Sequence, residues 1–254
     1  MRTIVFANLK GGVGKTFSAI NTAIILSEIH SNKVLIVDND PQGNTSKFFG
    51  VHDFDSKSME DVLIGTDNPD EVIKTLRENN SLDIIPGNSN IDVACQELIK
   101  RDDEEQNTKL GKVLKSVEDR YDYCIIDCQP GMGLNTINAL CAANDIIIPV
   151  QTDKESIDGL EEIGYFIDDA KSFNPELETV RCLITMFIKD EISVKGKEIV
   201  MNSGFDVFNT VIRASTRVAK KWSYETGKSI CEFSPRCSAA VDYKNFVIEY
   251  LGGK

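Results

Sequence analysis

The chain has 254 residues, with 28 lysines and arginines against 40 aspartates and glutamates, and a formal net charge of −12. A chain of this length buries a core without disulfides or metal ions, and its hydrophobic content of 41% is ordinary for a globular protein. Collagen-like, disordered and disulfide-scaffold classes are therefore excluded. No apolar run approaches the roughly 20 residues that cross a bilayer, so we expect a cytoplasmic protein that does not bind membranes.

Seven cysteines are scattered along the chain without a C-x-x-C pair. This spacing argues against a disulfide framework or a zinc site, and we expect most of them to be buried apolar residues. The acidic balance disfavours nonspecific nucleic-acid binding by the chain as a whole. Any such binding would need a local basic patch.

Short runs rich in β-branched residues alternate with longer stretches of helical period. Strands are predicted at 3–9, 33–38, 81–87, 121–127, 145–151, 179–187 and 206–212. Helices are predicted at 16–30, 90–100, 107–119, 134–143, 155–172, 191–202 and 239–251. Several strands are nearly continuous apolar runs, as in parallel strands that are buried on both faces. The alternation predicts a single α/β domain over 1–254, a mostly parallel twisted sheet flanked by helices.

Three further segments carry structural predictions. The polar, acidic segment 50–80 is predicted to form surface helices, and RDDEEQN at 101–107 is predicted to be a solvated loop. In the last helix, four apolar side chains share one face and are expected to pack on the core, namely Ala240, Tyr243, Val247 and Leu251.

A glycine-rich string, GGVGKT at 11–16, follows the first predicted strand and opens the first predicted helix. Glycines let the backbone point its N–H groups at phosphate oxygens, and the helix adds the positive end of its dipole. We expect Lys15 to reach the β- and γ-phosphates and the Thr16 hydroxyl to bind Mg²⁺. The string therefore predicts a phosphate-binding P-loop. The residues predicted to bind ATP are Lys10, Gly11, Gly12, Val13, Gly14, Lys15, Thr16 and Phe17.

Two other strings place carboxylates after strands. LIVDNDPQGNTS at 35–46 carries Asp38 and Asp40, and YDYCIIDCQPG at 121–131 carries Asp127. Ligands bind at the carboxyl ends of parallel strands in such sheets, so we expect these side chains beside the glycine-rich string. Asp127 then has the Walker B position, where a carboxylate holds Mg²⁺. Asp-Pro-x-Gly alone is also an ordinary turn sequence.

The string N-L-K-G-G-V-G-K-T resembles the deviant Walker A motif of the ParA/MinD family, with Asn8 in place of the first glycine of the general motif. The D-x-D-P-Q-G-N string is similar to the switch region of ParA-type ATPases. The likeness runs from residue 1 to about 170 and continues more weakly to the C-terminus. It implies an ATPase that uses ATP and Mg²⁺ and forms a homodimer in the ATP state, with Lys10 reaching the nucleotide of the other subunit.

The same resemblance assigns roles to the carboxylates. It implies that Asp40 orients the attacking water and that Asp38 supports Mg²⁺ or the switch geometry. The catalytic residues are then Lys10, Lys15 and Asp40, and the metal-binding residues are Thr16, Asp38 and Asp127. Gln129 departs from the D-x-P pattern of the family, which leaves the switch geometry at that position open.

The family contains branches that act on DNA, membranes, polysaccharide synthesis or metalloclusters. The end DYKNFVIEYLGGK is not a basic amphipathic membrane helix. Tyr243 and Tyr250 do not form the tyrosine cluster of the polysaccharide kinases, and Cys128 has no recognisable partner for a shared cluster. These features disfavour the three other branches.

The basic segment 212–228 favours the DNA branch. It resembles the region of ParA proteins that contributes to adenine binding and contacts the DNA backbone, and phosphate contacts need only positive charge and reach. Trp222 is expected to anchor the segment by packing, and a solvated basic helix face is the alternative. The predicted DNA-binding residues are Arg213, Arg217, Lys220 and Lys221.

Together these features predict a ParA/Soj-like partition ATPase. Its ATP-bound dimer would bind duplex DNA of any sequence at the nucleoid, and a ParB-like centromere-binding partner would stimulate hydrolysis. The alternatives are a metabolic P-loop synthetase of the dethiobiotin or cobyrinate type, and a MinD-type ATPase that positions another cargo. Lys10 and the D-x-D-P-Q-G-N string favour the partition switch.

Overall fold

One eight-stranded sheet organises the residues that the computed structural model describes, which are 1–77, 81–101, 105–222 and 227–253. The strands are β1 (Arg2–Phe6), β2 (Val34–Asn39), β3 (Lys74–Thr75), β4 (Leu82–Ile85), β5 (Tyr123–Cys128), β6 (Asp145–Val150), β7 (Thr179–Ile184) and β8 (Asp206–Val207). Their order across the sheet is β3-β4-β2-β5-β1-β6-β7-β8. Every neighbouring pair is parallel except β3 and β4.

Helices connect the strands and cover both faces of the sheet. They are α1 (Lys15–Ile24), α2 (Asn44–Phe48), α3 (Met59–Ile64), α4 (Pro69–Val72), α5 (Asn90–Lys100), α6 (Lys109–Lys115), α7 (Leu134–Cys141), α8 (Lys154–Lys171), α9 (Glu191–Met201), α10 (Thr216–Trp222), α11 (Ile230–Phe233) and α12 (Ser238–Tyr250). A π-helical turn, Ile25–Ile29, continues α1. No helix in the described ranges is both long and apolar enough to cross a bilayer.

The strand side chains alternate between two apolar layers, as the period of two in a strand requires. On β1, Val5 packs in the layer with α3 and α5 to α8, whereas Ile4 and Phe6 pack in the layer with α1 and α12. Both layers are buried, which explains why the parallel strands read as continuous apolar runs. The predicted α/β architecture is confirmed.

The predicted elements differ from the observed ones mainly at their ends. The last two predicted strands are too long, because β7 ends at Ile184 and β8 has two residues. The predicted helix 107–119 is interrupted, since α6 ends at Lys115 and a separate 3₁₀ turn spans Glu118–Arg120. Leu251 follows α12 and is 38% exposed, so its predicted packing is wrong.

The segment 50–80 is only partly the surface layer that its acidic composition suggests. Helix α3 is buried along one face, with Met59, Val62 and Leu63 in the core. The described part of 101–107 lies at the surface, as predicted. Five of the seven cysteines are buried and none forms a disulfide, also as predicted.

A partly buried ion pair joins β1 to β6 and contacts the last helix through Tyr250, and it gives a stability prediction. Asp145, 1% exposed, accepts hydrogen bonds from Arg2 Nε at 2.5 Å, Tyr250 Oη at 2.6 Å and Thr179 Oγ1 at 2.6 Å. We expect Asp145→Asn to lower the free energy of unfolding at neutral pH by ~1–3 kcal/mol, because it removes the buried counter-ion of Arg2 and leaves only the exposed Glu178. Urea unfolding measures this loss.

The pH dependence provides a second readout of the same substitution. Burial raises the pKa of Asp145, but the hydrogen bonds from Arg2, Thr179 and Tyr250 outweigh it and hold the pKa below its ordinary value. The stabilisation is therefore present above the unfolded pKa of about 4 and is lost as pH falls through the folded pKa. The two proteins should converge in stability in acid, and an undiminished difference there would contradict the assignment.

Candidate nucleotide-binding site

The glycine-rich loop connects β1 to α1 in the conformation that phosphate binding requires. Gly12 and Gly14 have φ of 77° and 89°, in the left-handed region that disfavours side chains. Asn8, which replaces the first glycine of the general motif, is buried and anchors the loop. Its Nδ2 donates to the Pro149 carbonyl at 2.7 Å and its Oδ1 accepts from the Lys10 N–H at 2.9 Å.

The two lysines of the loop have opposite environments. Lys15 is 6% exposed and its Nζ donates to the carbonyls of Lys10 at 2.8 Å and Asn8 at 3.1 Å. Burial lowers the pKa of Lys15, and the nearby carboxylates of Asp127 and Asp40 partly oppose that shift. Lys10 lies at the surface instead.

Lys10 is held by two acidic residues at the start of α8. Its Nζ contacts Asp153 Oδ1 at 2.6 Å and Glu155 Oε2 at 3.3 Å. Asp153 also caps α8, since it accepts the Ser156 N–H at 3.0 Å. The sequence offered no signal for the Lys10–Asp153 pair, because its members are 143 positions apart.

The three predicted carboxylates are all buried near this loop, at the ends of adjacent strands. Asp38 and Asp127 are register partners on β2 and β5, and both are fully buried. Asp40 follows β2, is 5% exposed, and accepts the Gln42 N–H at 2.9 Å. Three buried acids close to one buried lysine form a strongly unbalanced cluster of charge.

Helix α2 supplies hydroxyl groups to this cluster. Thr45 Oγ1 donates to Asp127 Oδ2 at 2.7 Å, and the Ser46 hydroxyl and N–H donate to Asp38 Oδ2 at 2.6 and 2.7 Å. The first turn of α2 thereby links the D-x-D-P-Q-G-N string to both strand ends. Thr45 and Ser46 stand inside a string that the sequence singled out, but their partners were not predicted.

The carboxylates carry the electrostatic signature of a cation site. Burial raises the pKa of Asp38 to about 6 and that of Asp127 to about 8, although hydroxyl donors near each carboxylate oppose the shift. Asp127 Oδ1 is buried and has no hydrogen-bond partner in the described structure. A divalent cation, or a water bound to it, would satisfy that oxygen and stabilise the ionised carboxylates.

The donor set fits Mg²⁺ held together with phosphates. No three His, Cys, Asp or Glu side chains within the described ranges are grouped as a metal cage. Mg²⁺ usually keeps several waters and is bound by one or two protein groups plus substrate phosphates. The Thr16 side chain lies near Asp127 and lowers its pKa, so hydroxyl and carboxylate are close enough to serve one hydrated ion.

Gln129 belongs to a network of amide hydrogen bonds with Asn135 and Asn39. Gln129 Nε2 donates to Asn135 Oδ1 at 2.8 Å, and Asn135 Nδ2 donates to the Asn39 carbonyl at 2.8 Å. Asn39 Nδ2 returns a bond to the Asn135 carbonyl at 2.8 Å. The residue that departs from the family pattern therefore links the ends of β2 and β5 to the start of α7.

Further residues, which the sequence analysis did not identify, contact the loop from the ends of β6 and β7. Thr185 Oγ1 donates to the Val13 carbonyl at 2.8 Å, and Gln151 Nε2 donates to the Gly12 carbonyl at 2.9 Å. Met186 Sδ lies 3.1 Å from the same Gln151 nitrogen. Both donors come directly after strands β6 and β7, the position that marks ligand sites in parallel sheets.

The basic segment lies over the same edge of the sheet, but its charges are not equivalent. Arg213 is bound to the nearly buried Asp242, with Nη2 to Oδ1 at 2.7 Å and Nε to Oδ2 at 2.9 Å. Lys221 is exposed on α10. The side chains of Arg217 and Lys220 lie outside the described part of the chain. Trp222 is buried, so its predicted packing role is confirmed.

The loop, the buried lysine and the acids at the strand ends define a P-loop nucleotide-binding protein. A family model described as an AAA domain matches residues 1–179. The chromosome-partitioning ATPase Soj of Treponema pallidum is 33% identical over 255 residues, which cover 98% of this chain and 97% of that protein. The chain belongs to the ParA/Soj family of P-loop ATPases.

Two solved structures extend the comparison. A putative plasmid partition protein from Borrelia burgdorferi bound to AMPPNP has a TM-score of 0.82 and 25% identity, covering 99% of this chain and 98% of that one. Cobyrinic acid a,c-diamide synthase from Mycobacterium smegmatis, with a bound ATP analog and magnesium, has a TM-score of 0.84 and 27% identity, covering 99% and 94%. The fold is therefore shared by a partition protein and a synthetase.

Proposed function

We propose that this chain is an ATP-dependent dimerising switch of a DNA-partition system, formed by one domain over 1–254. It binds ATP with Mg²⁺ at the glycine-rich loop, pairs with a second copy, and then binds duplex DNA without sequence preference. Hydrolysis, stimulated by a ParB-like centromere-binding protein, releases the dimer. The observation that carries this proposal is the difference between Lys15, which is buried under the loop, and Lys10, which is held at the surface.

Lys15 is positioned for the nucleotide of its own subunit. Its ammonium group is buried under the loop, where a phosphate would replace the two backbone carbonyls as its partner. Charge-assisted bonds to phosphate are roughly twice as strong as neutral ones. Lys15 therefore has a clear reason to favour ATP over the nucleotide-free state.

Lys10 is available to a group from another molecule. Its partners Asp153 and Glu155 have side chains that are 41% and 86% exposed, and ion pairs at such sites contribute ~0–1 kcal/mol. Exchange of these partners for a phosphate of the second subunit's ATP would cost little. A cation supplied across an interface stabilises the charge that develops during phosphoryl transfer.

The acids divide the remaining work. When bound, Mg²⁺ would supply positive charge that offsets the charge of the phosphates. Thr16 and Asp127 would hold that ion, with Asp38 supporting it through the α2 hydroxyl contacts. Asp40, outside the strand and bonded to the switch-loop backbone, would orient the attacking water.

A small apolar cavity beside the loop would contact one face of the nucleotide's base, since it is too small to enclose a purine. It has a volume of about 50 Å³ and is lined by Phe17, Met186, Ile212 and Tyr243 among others. Aromatic and aliphatic side chains favour the faces of a flat ring.

The described contacts of the basic residues decide which of them are suitable for a test of DNA binding. Arg213→Glu would place a second carboxylate beside that of Asp242 and disturb the fold, so it is a poor probe. Lys221→Glu and Arg217→Glu change charge on α10 without removing a described ion pair. Lys33→Glu, before β2 at the opposite edge of the sheet, is the matched control.

The experiment is a fluorescence-anisotropy titration of duplex DNA with and without ATP over a salt series. We expect wild type to bind only with ATP, and each α10 variant to weaken binding equally on all sequences. Because a dimer carries two copies, each variant should reduce the salt slope by about 2. Normal binding by both α10 variants would remove α10 from the DNA surface, and no binding by wild type would overturn the partition role.

A synthetase is the second candidate, and the likeness to the cobyrinic acid a,c-diamide synthase favours it. A synthetase couples hydrolysis to ligation and needs its acceptor substrate for turnover. ATP hydrolysis that responds to DNA and a partner protein alone would support the switch instead. Hydrolysis that appears only with a carboxylic acid and an amine donor would support the synthetase.

A further inference from the structure

Trp222 lies where the basic segment meets the nucleotide site. It is the only tryptophan of the chain and is 5% exposed. Its ring centroid lies 4.5 Å from that of Phe17 and 4.6 Å from that of Phe48, and the latter pair is stacked. The indole N–H donates to the Lys228 carbonyl at 2.7 Å, so its polar atom is satisfied.

Both aromatic partners of Trp222 lie close in sequence to residues of the nucleotide site. Phe17 follows Thr16 at the start of α1. Phe48 ends α2, a helix of five residues whose Thr45 and Ser46 bind Asp127 and Asp38. Because α2 has only five residues, we expect a rearrangement of its hydroxyl contacts to displace the Phe48 ring as well.

The backbone around Trp222 is attached to the same two helices. The Gly227 N–H donates to the Phe48 carbonyl at 2.9 Å, and the Ile230 N–H donates to Asn21 Oδ1 of α1 at 2.7 Å. Trp222 itself directly follows Lys220 and Lys221 on α10. The described contacts of this region therefore lead from the carboxylate cluster to the helix that carries the basic side chains.

We propose that Trp222 is a positioning residue that couples the nucleotide site to α10, through its contacts with Phe17 and Phe48. Occupation of the site by ATP and Mg²⁺ shifts α2 and the start of α1, and the indole transmits the shift to α10. The effect on DNA rests on the proposed function, whereas the movement of Trp222 does not. The two parts can therefore be tested separately.

The first test uses the tryptophan as its own probe. Titration of Mg-ATP into the full chain should change the emission of Trp222 with saturation, because its stacking partner moves. Phe48→Leu should remove most of that change while ATP still binds, measured by calorimetry. Lys15→Ala, which removes ATP binding, should give no change. Emission that is unaffected by saturating ATP would overturn the coupling.

The second test measures the ratio of DNA affinities with and without ATP. We expect Trp222→Leu to reduce this ratio by about 10-fold, within the usual range of coupling between sites. Trp222→Phe, which keeps an aromatic ring, should retain most of it. ATP affinity should change little in either variant. The described contacts of Trp222 are with Phe17, Phe48 and the Lys228 carbonyl, and none of them joins a loop glycine or a carboxylate.

Phe208→Leu controls for a loss of stability alone. Phe208 is 2% exposed on the same side of the sheet, but it packs on Phe246 at 4.9 Å. This variant should keep the wild-type ratio. If Trp222→Leu also keeps it, or if Phe208→Leu lowers it equally, the coupling role is wrong. If wild type binds no DNA in either state, the proposed function fails, and the emission test still decides the coupling.

Discussion

Lys15→Ala should reduce affinity for ATP by about 100-fold or more. Loss of one member of a buried charge pair typically costs ~2–5 kcal/mol, and Lys15 is the buried cation of the loop, which the proposed function pairs with the phosphates. Titration with a fluorescent ATP analogue measures the loss. The substitution also removes one positive charge that opposes the raised pKa values of Asp127 and Asp40.

Lys47→Ala is the matched control for this experiment. Lys47 is an exposed lysine of α2 whose Nζ donates to the Gln42 carbonyl at 2.5 Å, close to the same switch string. Its removal should leave ATP affinity within a few-fold of wild type. Equal losses in both variants, or none in Lys15→Ala, would show that the loop is not the phosphate site.

Asp40→Ala should bind ATP but hydrolyse it ~100-fold more slowly or worse, the range expected when a group that positions or deprotonates the nucleophile is lost. Because hydrolysis ends the dimeric state in the proposed function, the variant should accumulate as an ATP-bound dimer. Light scattering with ATP measures the mass, and phosphate release measures the turnover.

Two companion variants sharpen the interpretation. Asp40→Asn keeps an acceptor for the Gln42 N–H, so slow turnover in this variant as well would assign the effect to charge and not to loop geometry. Lys10→Ala, added to Asp40→Ala, should prevent the dimer without loss of monomeric ATP binding. Wild-type turnover in Asp40→Ala would mean that the water is positioned elsewhere.

The parallel sheet and the phosphate loop could be predicted because their signals are local. All six positions of β2 are buried, and the first four are the apolar run VLIV, which directly reflects the place of this strand in the sheet. The loop glycines at 12 and 14 have the positive φ angles that only a glycine adopts readily. Each of these signals lies within one short string.

Helix α2 could not be predicted, because five residues carry no helical period. It begins after Gly43, whose φ is 61° and whose missing Cβ leaves room for the ring of His52. As local structure, the D-P-x-G string alone predicts only a turn. The buried face of α3 was not predicted for another reason, since four acidic side chains within 53–61 dominate the local composition and obscure Met59, Val62 and Leu63.

The contacts that complete the site depend on register between distant strands. Thr45 meets Asp127 across 82 positions, and Lys10 meets Asp153 across 143. A single sequence does not encode such pairings in any local pattern. The residue types of the site could thus be predicted from the strings, but the partners of those residues could not.

The central position of β1 governs how the protein is assembled during synthesis. β1 leaves the ribosome before its two neighbours, β5 and β6, which begin at Tyr123 and Asp145. The loop that follows it donates a hydrogen bond to the Pro149 carbonyl and accepts one from Thr185. A nascent chain therefore carries an unpaired, apolar strand for almost half of its translation, and long-range pairing of this kind forms slowly. ATP gains a complete binding site only after β7 has emerged, so the nucleotide stabilises the finished sheet and not its precursors.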